Sequence, residues 1–166
     1  MTLQLPKEGD GFLLRSFTHE DAAALAEIEF DPVVKQFLAI PKKAKIQWIQ
    51  EDFHPDYYCA WAIEVGDCLA GRAFLLPVKE GVKELVIVIG RSFLGKKLGR
   101  KVADMLIHAA FTELNTKTLL AVVHPENLAS IKLLKAFKFR HRGKVPSEQK
   151  QAGNLIYRLT RGTYNS

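Results

Sequence analysis

Apolar positions along the chain follow two rhythms, one of period two and one near 3.6, and their alternation predicts the elements. The stretch GFLLRSF reads as a short first strand. After it the spacing turns helical: Ala22, Leu25 and Ile28 share a face, and Thr18 with Asp21 three residues later resembles a capping box. Asp31-Pro32 restarts a second helix, with Asp31 as its cap and Pro32 in the first turn, where a missing N–H costs nothing. A third helical segment is expected from about residue 42 to 53, striped by Ile46, Ile49 and Phe53. YYCAWAIEV and CLAGRAFLLP, joined through Gly66-Asp67, read as an antiparallel hairpin. In ELVIVIG the run Val86 to Ile89 leaves neither face polar, which predicts a central strand covered on both sides.

From Lys97 to about Asn115 the pattern is again helical, with Leu98, Val102, Met105, Leu106 and Ala109 inward. TLLAVV is expected as a second buried strand. HPENLASIKLLKAFKF opens a helix carrying Leu128, Ile131, Leu134 and Phe137 on one side, and NLIYRLT closes the chain as a strand. GKVPSEQKQAG is a polar loop. With no internal repeat and no linker composition, 166 residues at 48% hydrophobic content suit one domain, 1–166, of α/β (α+β) class with a mixed sheet.

Charge adds a weak preference. The formal net charge of +6 suits an anionic ligand or partner without bearing on the fold. Lys132, Lys135, Lys138, Arg140, Arg142 and Lys144 form a basic stretch, and strand alternation would put Arg140, Arg142 and Lys144 on one face. RNA binding is one reading of it. Aromatic interleaving is limited to Phe137 and Phe139, so a solvated basic face that also attracts nucleotide phosphates is favoured over nucleic acid. Cys59 and Cys68 lack zinc-site spacing and are expected as hairpin neighbours or core thiols. The first ten residues lack the apolar core of a signal peptide, and no apolar run reaches about 18 residues, so a soluble cytoplasmic protein is expected, away from the membrane.

The chemistry-bearing stretch is VIGRSFLGKKLGR. Gly90 to Lys97 reads G-x-x-x-x-G-K-K, one residue short of a nucleotide-binding P-loop. The position that would hold magnesium through a hydroxyl is Lys97, and no later apolar strand ends in aspartate, so ATP hydrolysis is not expected. A strand running into Gly95, Lys96, Lys97, Gly99, Arg100 and a helix start still suits a pyrophosphate, which backbone N–H groups and the helix dipole can hold without a metal. Taken alone, the loop is better read as an ordinary strand-to-helix turn with exposed lysines.

Taken with HPENLASIKLLKAFKF one helix and one strand later, it resembles the two signature regions of the GNAT acyltransferase superfamily, in particular the ribosomal-protein N-terminal acetyltransferase branch. Phe93, Gly95, Lys96 and Gly99 match the first region; Pro125, Glu126, Asn127, Ala129, Ser130, Ile131 and Phe139 match the second. The opening LLRSFTHEDAAALAEIEFDPVVKQFL is similar to that branch's first strand and helices. The resemblance implies the GNAT fold: a mostly antiparallel sheet, flanked by helices, in which two parallel central strands splay around acetyl-CoA. It further implies that the backbone at Val88 and Ile89 pairs with the pantetheine arm. The amides of Gly95, Lys96, Lys97, Leu98, Gly99 and Arg100 would hold the pyrophosphate, and Asn127 the pantetheine, with Ser130 nearby. Asn127 has a second reading as a helix cap. Lys97 departs from the family's glycine, Leu94 from its Gln or Arg, Lys138 from the glycine before Phe139, and Leu134 from the tyrosine acid of some members.

Acetyl transfer to an amine needs an unprotonated nucleophile, a donor to the developing oxyanion and an exit for the proton and thiolate. Glu84, at the start of the central strand, lies near where a glutamate base sits in related histone acetyltransferases, and its other reading is a solvated strand end. His124, ending the strand before Pro125, is the second candidate base, against a structural histidine. The backbone N–H of Ile89 or a neighbour is the expected oxyanion donor, and no metal is expected. The implied activity is transfer of an acetyl group from acetyl-CoA to a primary amine, either a protein N-terminus or a small molecule. The alternatives are a CoA-binding or sensing module with lost catalysis and a basic RNA-binding protein on the same scaffold.

Overall fold

The computed structural model describes residues 3–38 and 60–166. The helix expected at 42–53, together with Trp48, His54, Tyr57, Tyr58 and Cys59, lies outside them. The strands are β1 (Lys7–Gly9), β2 (Phe12–Arg15), β3 (Ala60–Val65), β4 (Cys68–Lys79), β5 (Val82–Ile89), β6 (Thr118–Val123), β7 (Arg140–Lys144) and β8 (Leu155–Thr160). They form one sheet in the order β1-β2-β3-β4-β5-β6-β8-β7. β5 and β6 are the parallel pair, and every other neighbouring pair is antiparallel. This is the mixed, mostly antiparallel sheet read from the sequence.

The helices are α1 (Asp21–Phe30), α2 (Pro32–Lys35), α3 (Leu98–Thr112), α4 (Leu128–Ala136) and α5 (Arg161–Asn165). On one face of the sheet α3 buries Leu98, Val102, Leu106 and Ala109 in a core shared with Leu14, Ile63, Leu75, Leu85, Leu119 and Leu159. Leu134 of α4 joins the same core, and Tyr164 of α5 stacks on Phe111 with ring centroids 5.0 Å apart. On the other face Ala22 and Leu25 of α1 pack with Phe17, Ala60, Ala62 and Phe74, and Val86 lies against them. Leu85, Ile87 and Ile89 therefore face α3, whereas by alternation Glu84, Val86 and Val88 face the α1 side.

Only half of the Thr18/Asp21 capping box forms, because α1 begins at Asp21 with Glu20 as an N-cap that makes no side-chain bond. The Asp21 carboxylate accepts from the Thr18 N–H at 2.8 Å and from both terminal nitrogens of Arg15 at 2.8 and 2.9 Å, while Arg15 also pairs with Glu64. Asp31 caps α2 by accepting from the Val33 N–H at 2.9 Å, with Pro32 in the first turn.

Several expectations are corrected. TLLAVV is buried on one face only: Leu119, Ala121 and Val123 are inside, whereas Thr118, Leu120 and Val122 are half exposed, because α1 packs over β4 and does not extend across β6. β5 is likewise less enclosed than its apolar run implies, with Val86, Ile87 and Ile89 half-buried beside the point where its neighbour departs. Leu128 is 72% exposed, since it begins α4 ahead of the turn that meets the sheet. Arg140, Arg142 and Lys144 do not share a face, because a bulge between His141 and Gly143 leaves Arg142 unpaired and reverses the alternation. Cys68 is exposed at the start of β4 rather than in the core. The chain ends in α5, not in β8.

Candidate active site

The site is made by a pairing that stops. β5 and β6 are in register only at Val82–Thr118, Lys83–Leu119 and Glu84–Leu120. Beyond Glu84 and Leu120 both strands continue, to Ile89 and Val123, without facing each other. Among the described residues their main-chain groups on that side then lack a strand partner, which in a protein interior calls for a ligand or water.

Which groups face the gap follows from β4. Gly90 donates its N–H to the Ala70 carbonyl at 2.7 Å, and the Val88 carbonyl is turned toward Gly71, where an added Cβ would sit 2.1 Å from it. By alternation Val88 is committed to β4, and the backbone edge open toward β6 belongs to Ile87 and Ile89. Of the two strand residues expected to pair with an arm in the gap, Ile89 turns its main-chain groups toward β6, as Ile87 does, and Val88 turns its own toward β4. The Val88 carbonyl also explains Gly71, a position any side chain would fill with a clash.

At the end of β5 a single 3₁₀ turn, Arg91–Phe93, leads through Gly95, Lys96 and Lys97 into α3. Lys97 is the N-cap and holds φ 61°, ψ 15°, the left-handed conformation for which glycine is the usual choice. Its side chain makes no cap, and it is exposed. The first bond of the helix is from the Lys101 N–H to the Lys97 carbonyl at 3.1 Å, so the N–H groups of Leu98, Gly99 and Arg100 have no intrahelical acceptor. Gly95, at φ 76°, has open space where a Cβ would stand. Lys96 lies over the Phe93 ring at 5.9 Å, and the Arg100 guanidinium lies over Phe137 at 5.8 Å, tying the start of α3 to the end of α4. The loop is open, cationic and rich in N–H groups, which fits a pyrophosphate.

Asn127 is the N-cap of α4: its side-chain oxygen accepts from the Ser130 N–H at 3.3 Å. That occupies one end of the amide and leaves its NH₂ for another acceptor, so capping and ligand binding are compatible. Ser130 is partly buried one turn into the helix.

The two candidate bases stand apart. Glu84 closes the paired part of β5, and burial pushes its carboxyl above the ordinary carboxylate range. His124 follows β6 four residues after Leu120, the register partner of Glu84, so about 13 Å of strand separates the two levels. The His124 Nδ1 accepts from the Glu126 N–H at 3.1 Å, and its ring meets Phe37, just beyond α2, with centroids 5.4 Å apart. In the neutral ring this assigns the proton to Nε2. His124 thus presents a donor at the rim, and its basic lone pair is already used. Leu134, in place of a tyrosine acid, is buried.

The pattern alone missed one ion pair behind the site. Arg72 of β4 and Glu29 of α1 are both almost fully buried and bonded to each other, with the Arg72 guanidinium 4.5 Å from the Phe74 ring centroid. Desolvation pulls the Arg72 pKa below its ordinary value against the opposing pull of Glu29. An arginine in the middle of the apolar CLAGRAFLLP was the signal available.

Residues 12–140 match the family model described as "Acetyltransferase (GNAT) domain". An uncharacterized N-acetyltransferase p20 of Bacillus licheniformis is 28% identical over 154 residues, covering 86% of each chain. Among solved structures, an acetyltransferase of the GNAT family from Bacillus anthracis superposes with a TM-score of 0.79 at 16% identity, covering 93% of this chain and 98% of its own. A spermidine N-acetyltransferase from Vibrio cholerae, in complex with CoA and spermine, gives 0.80 at 16% identity, with 94% and 99% covered.

Proposed function

The chain belongs to the acetyltransferase (GNAT) family, and from that membership we propose that it moves an acetyl group from acetyl-CoA to a primary amine by direct attack. The observation that carries the reading is the end of β5–β6 pairing at Glu84 and Leu120, which leaves the backbone of Ile87 and Ile89 beside an open, N–H-rich loop. Bound there, acetyl-CoA supplies the thioester carbonyl.

The residues divide the work. Ile87 and Ile89 hold the pantetheine arm through their main chain, and an N–H of this pair is aimed at the oxygen that gains charge in the transition state. The N–H groups from Gly95 to Arg100 hold the pyrophosphate, with Lys96 and Arg100 supplying charge. The Asn127 NH₂ reaches the arm while its oxygen keeps the cap of α4, and Ser130 lies alongside. Glu84, raised by burial, takes the proton of the attacking ammonium directly or through water. The departing thiolate meets no tyrosine, because Leu134 stands there. It leaves as the anion, to which the His124 Nε2–H at the rim offers a hydrogen bond. Lys97 does not close the loop, because its side chain points to solvent. The acceptor is a protein N-terminus or a small amine, and the setting is cytoplasmic.

The test is acetyl-CoA-dependent thiol release across a panel of primary amines. Acceptor-dependent release that Glu84→Gln lowers about 100-fold supports the reading. Tight acetyl-CoA binding with no release for any amine contradicts it and leaves a CoA-binding module.

A further inference from the structure

On the face of the sheet opposite α3, the pairings place four residues in one cross-strand row. Glu84 of β5 is in register with Leu120 of β6, Leu120 with Arg158 of β8, and Arg158 with Arg140 of β7. Register partners project from the same face, and the face is fixed by their neighbours: Leu85, Leu119, Tyr157 and Leu159 all lie in the core under α3, so this row lies on the other side.

That side is only partly covered. Leu120, Val122, Ile156 and Arg158 are half exposed, and Arg140 is exposed. Neither arginine enters an ion pair among the described residues, and they are direct cross-strand neighbours of like charge, an arrangement that is unfavourable unless an anion joins them. The cations meant for the CoA phosphates, Lys96 and Arg100, belong to the start of α3 on the opposite face, so the arginine pair is a separate feature.

We propose that the acceptor of this transferase carries an anionic group, a carboxylate or a phosphate, about 10 Å from its reacting amine, held by Arg158 and Arg140 while the amine lies at Glu84. The distance is that of two strand spacings from Glu84 to Arg158. Leu120, between them, gives the intervening part of the acceptor an apolar floor. Glu84 and Arg158 do not pair with each other, so one end of the row is left for a cation and the other for an anion. This assignment rests on the transferase reading above.

The test uses C-terminally amidated tripeptides with a free N-terminus, alanyl-alanyl-X, in which X is glutamate, phosphoserine, glutamine or lysine. Thiol release is followed at saturating acetyl-CoA, with spermidine as an amine of opposite charge pattern. The expected result is a kcat/KM at least about 10-fold higher for the glutamate or phosphoserine peptide than for the glutamine peptide, and lower still for lysine. The better of the first two identifies the anion. In Arg158→Gln, and in Arg140→Gln as a surface variant independent of folding, the preference falls toward unity through the KM for the anionic peptide. Arg158→Lys restores part of it. Equal rates for the glutamate, phosphoserine, glutamine and lysine peptides, or a preference for spermidine, overturn the inference while leaving the transferase reading intact. No release from any amine removes the transferase reading and the inference with it.

Discussion

The His124 Nδ1 accepts a hydrogen bond from the main-chain N–H of Glu126 at 3.1 Å, so the imidazole that looked like a base in the sequence is held as a donor. His124→Gln should lower kcat less than 10-fold and leave the acid limb of the pH–kcat/KM profile in place. If the limb vanishes with His124, the assignment of tautomer and role is wrong.

On the proposed reading the acid limb is set by Glu84. Its carboxyl is raised by burial, so activity should fall as pH drops through a pKa above the ordinary carboxylate value, and Glu84→Gln should abolish that limb along with most of the rate. The stability consequence has a definite sign. A carboxyl that binds its proton more tightly folded than unfolded favours folding at low pH, and that contribution is lost as pH rises from the unfolded value through the folded one. Urea unfolding should therefore find Glu84→Gln more stable than the parent at pH 8, with the two converging below about pH 4.

Asp21 works in the opposite direction. Burial alone would raise its carboxyl, but the Arg15 guanidinium and the Thr18 N–H outweigh burial and hold it below the ordinary range. Its contribution is present above the unfolded pKa and is lost as pH falls through the folded one. Asp21→Asn should cost about 1 kcal/mol at pH 7, and the difference from the parent should shrink toward pH 2. An unchanged difference across that range would show that the charge does not matter.

Arg72 and Glu29 should be cheaper to lose together than singly. Arg72→Met alone takes the guanidinium away from a buried carboxylate and is expected to cost about 3–5 kcal/mol, whereas Arg72→Met with Glu29→Gln should recover most of that loss. Additive losses in a double-mutant cycle would contradict the coupling.

Lys97 and Lys138 both hold left-handed backbone, at φ 61° and 68°, where the family pattern has glycine. Either change to glycine should stabilise by about 0.5–1 kcal/mol, the relief of a left-handed side chain less the added freedom of the unfolded chain. Lys138→Gly gives up the bond from Lys138 Nζ to the Ser166 carbonyl, so its gain should be the smaller. A lower denaturation midpoint for Lys97→Gly would mean that its side chain stabilises the loop.

Most of the order of strands and helices was legible because burial writes itself into period: Leu98, Val102, Leu106 and Ala109 announced α3, and Gly66-Asp67 announced the hairpin, whereas the short β1 and α5 carry too few apolar positions to show a period. The glycine loop and Asn127 were legible as motifs. What escaped were quantities set across the sheet. Apolar runs do not say on which face a neighbouring helix stops, so Leu120 and Val122 looked buried. The bulge at Arg142 was marked only by Gly143, at φ 144°, beside residues whose polar pattern carries no period. The orientation of Val88 follows from its pairing with β4, and the tautomer of His124 from a turn two residues on. Neither relation is periodic.

The most direct measurement is isothermal titration of the protein with acetyl-CoA, with ATP plus magnesium as control. Acetyl-CoA should bind in the micromolar range, weakened about 10-fold by Asn127→Ala, and ATP should give no heat. No binding of acetyl-CoA, or equal binding of ATP, would contradict the assignment of the β5–β6 gap and the Gly95–Arg100 loop as its site.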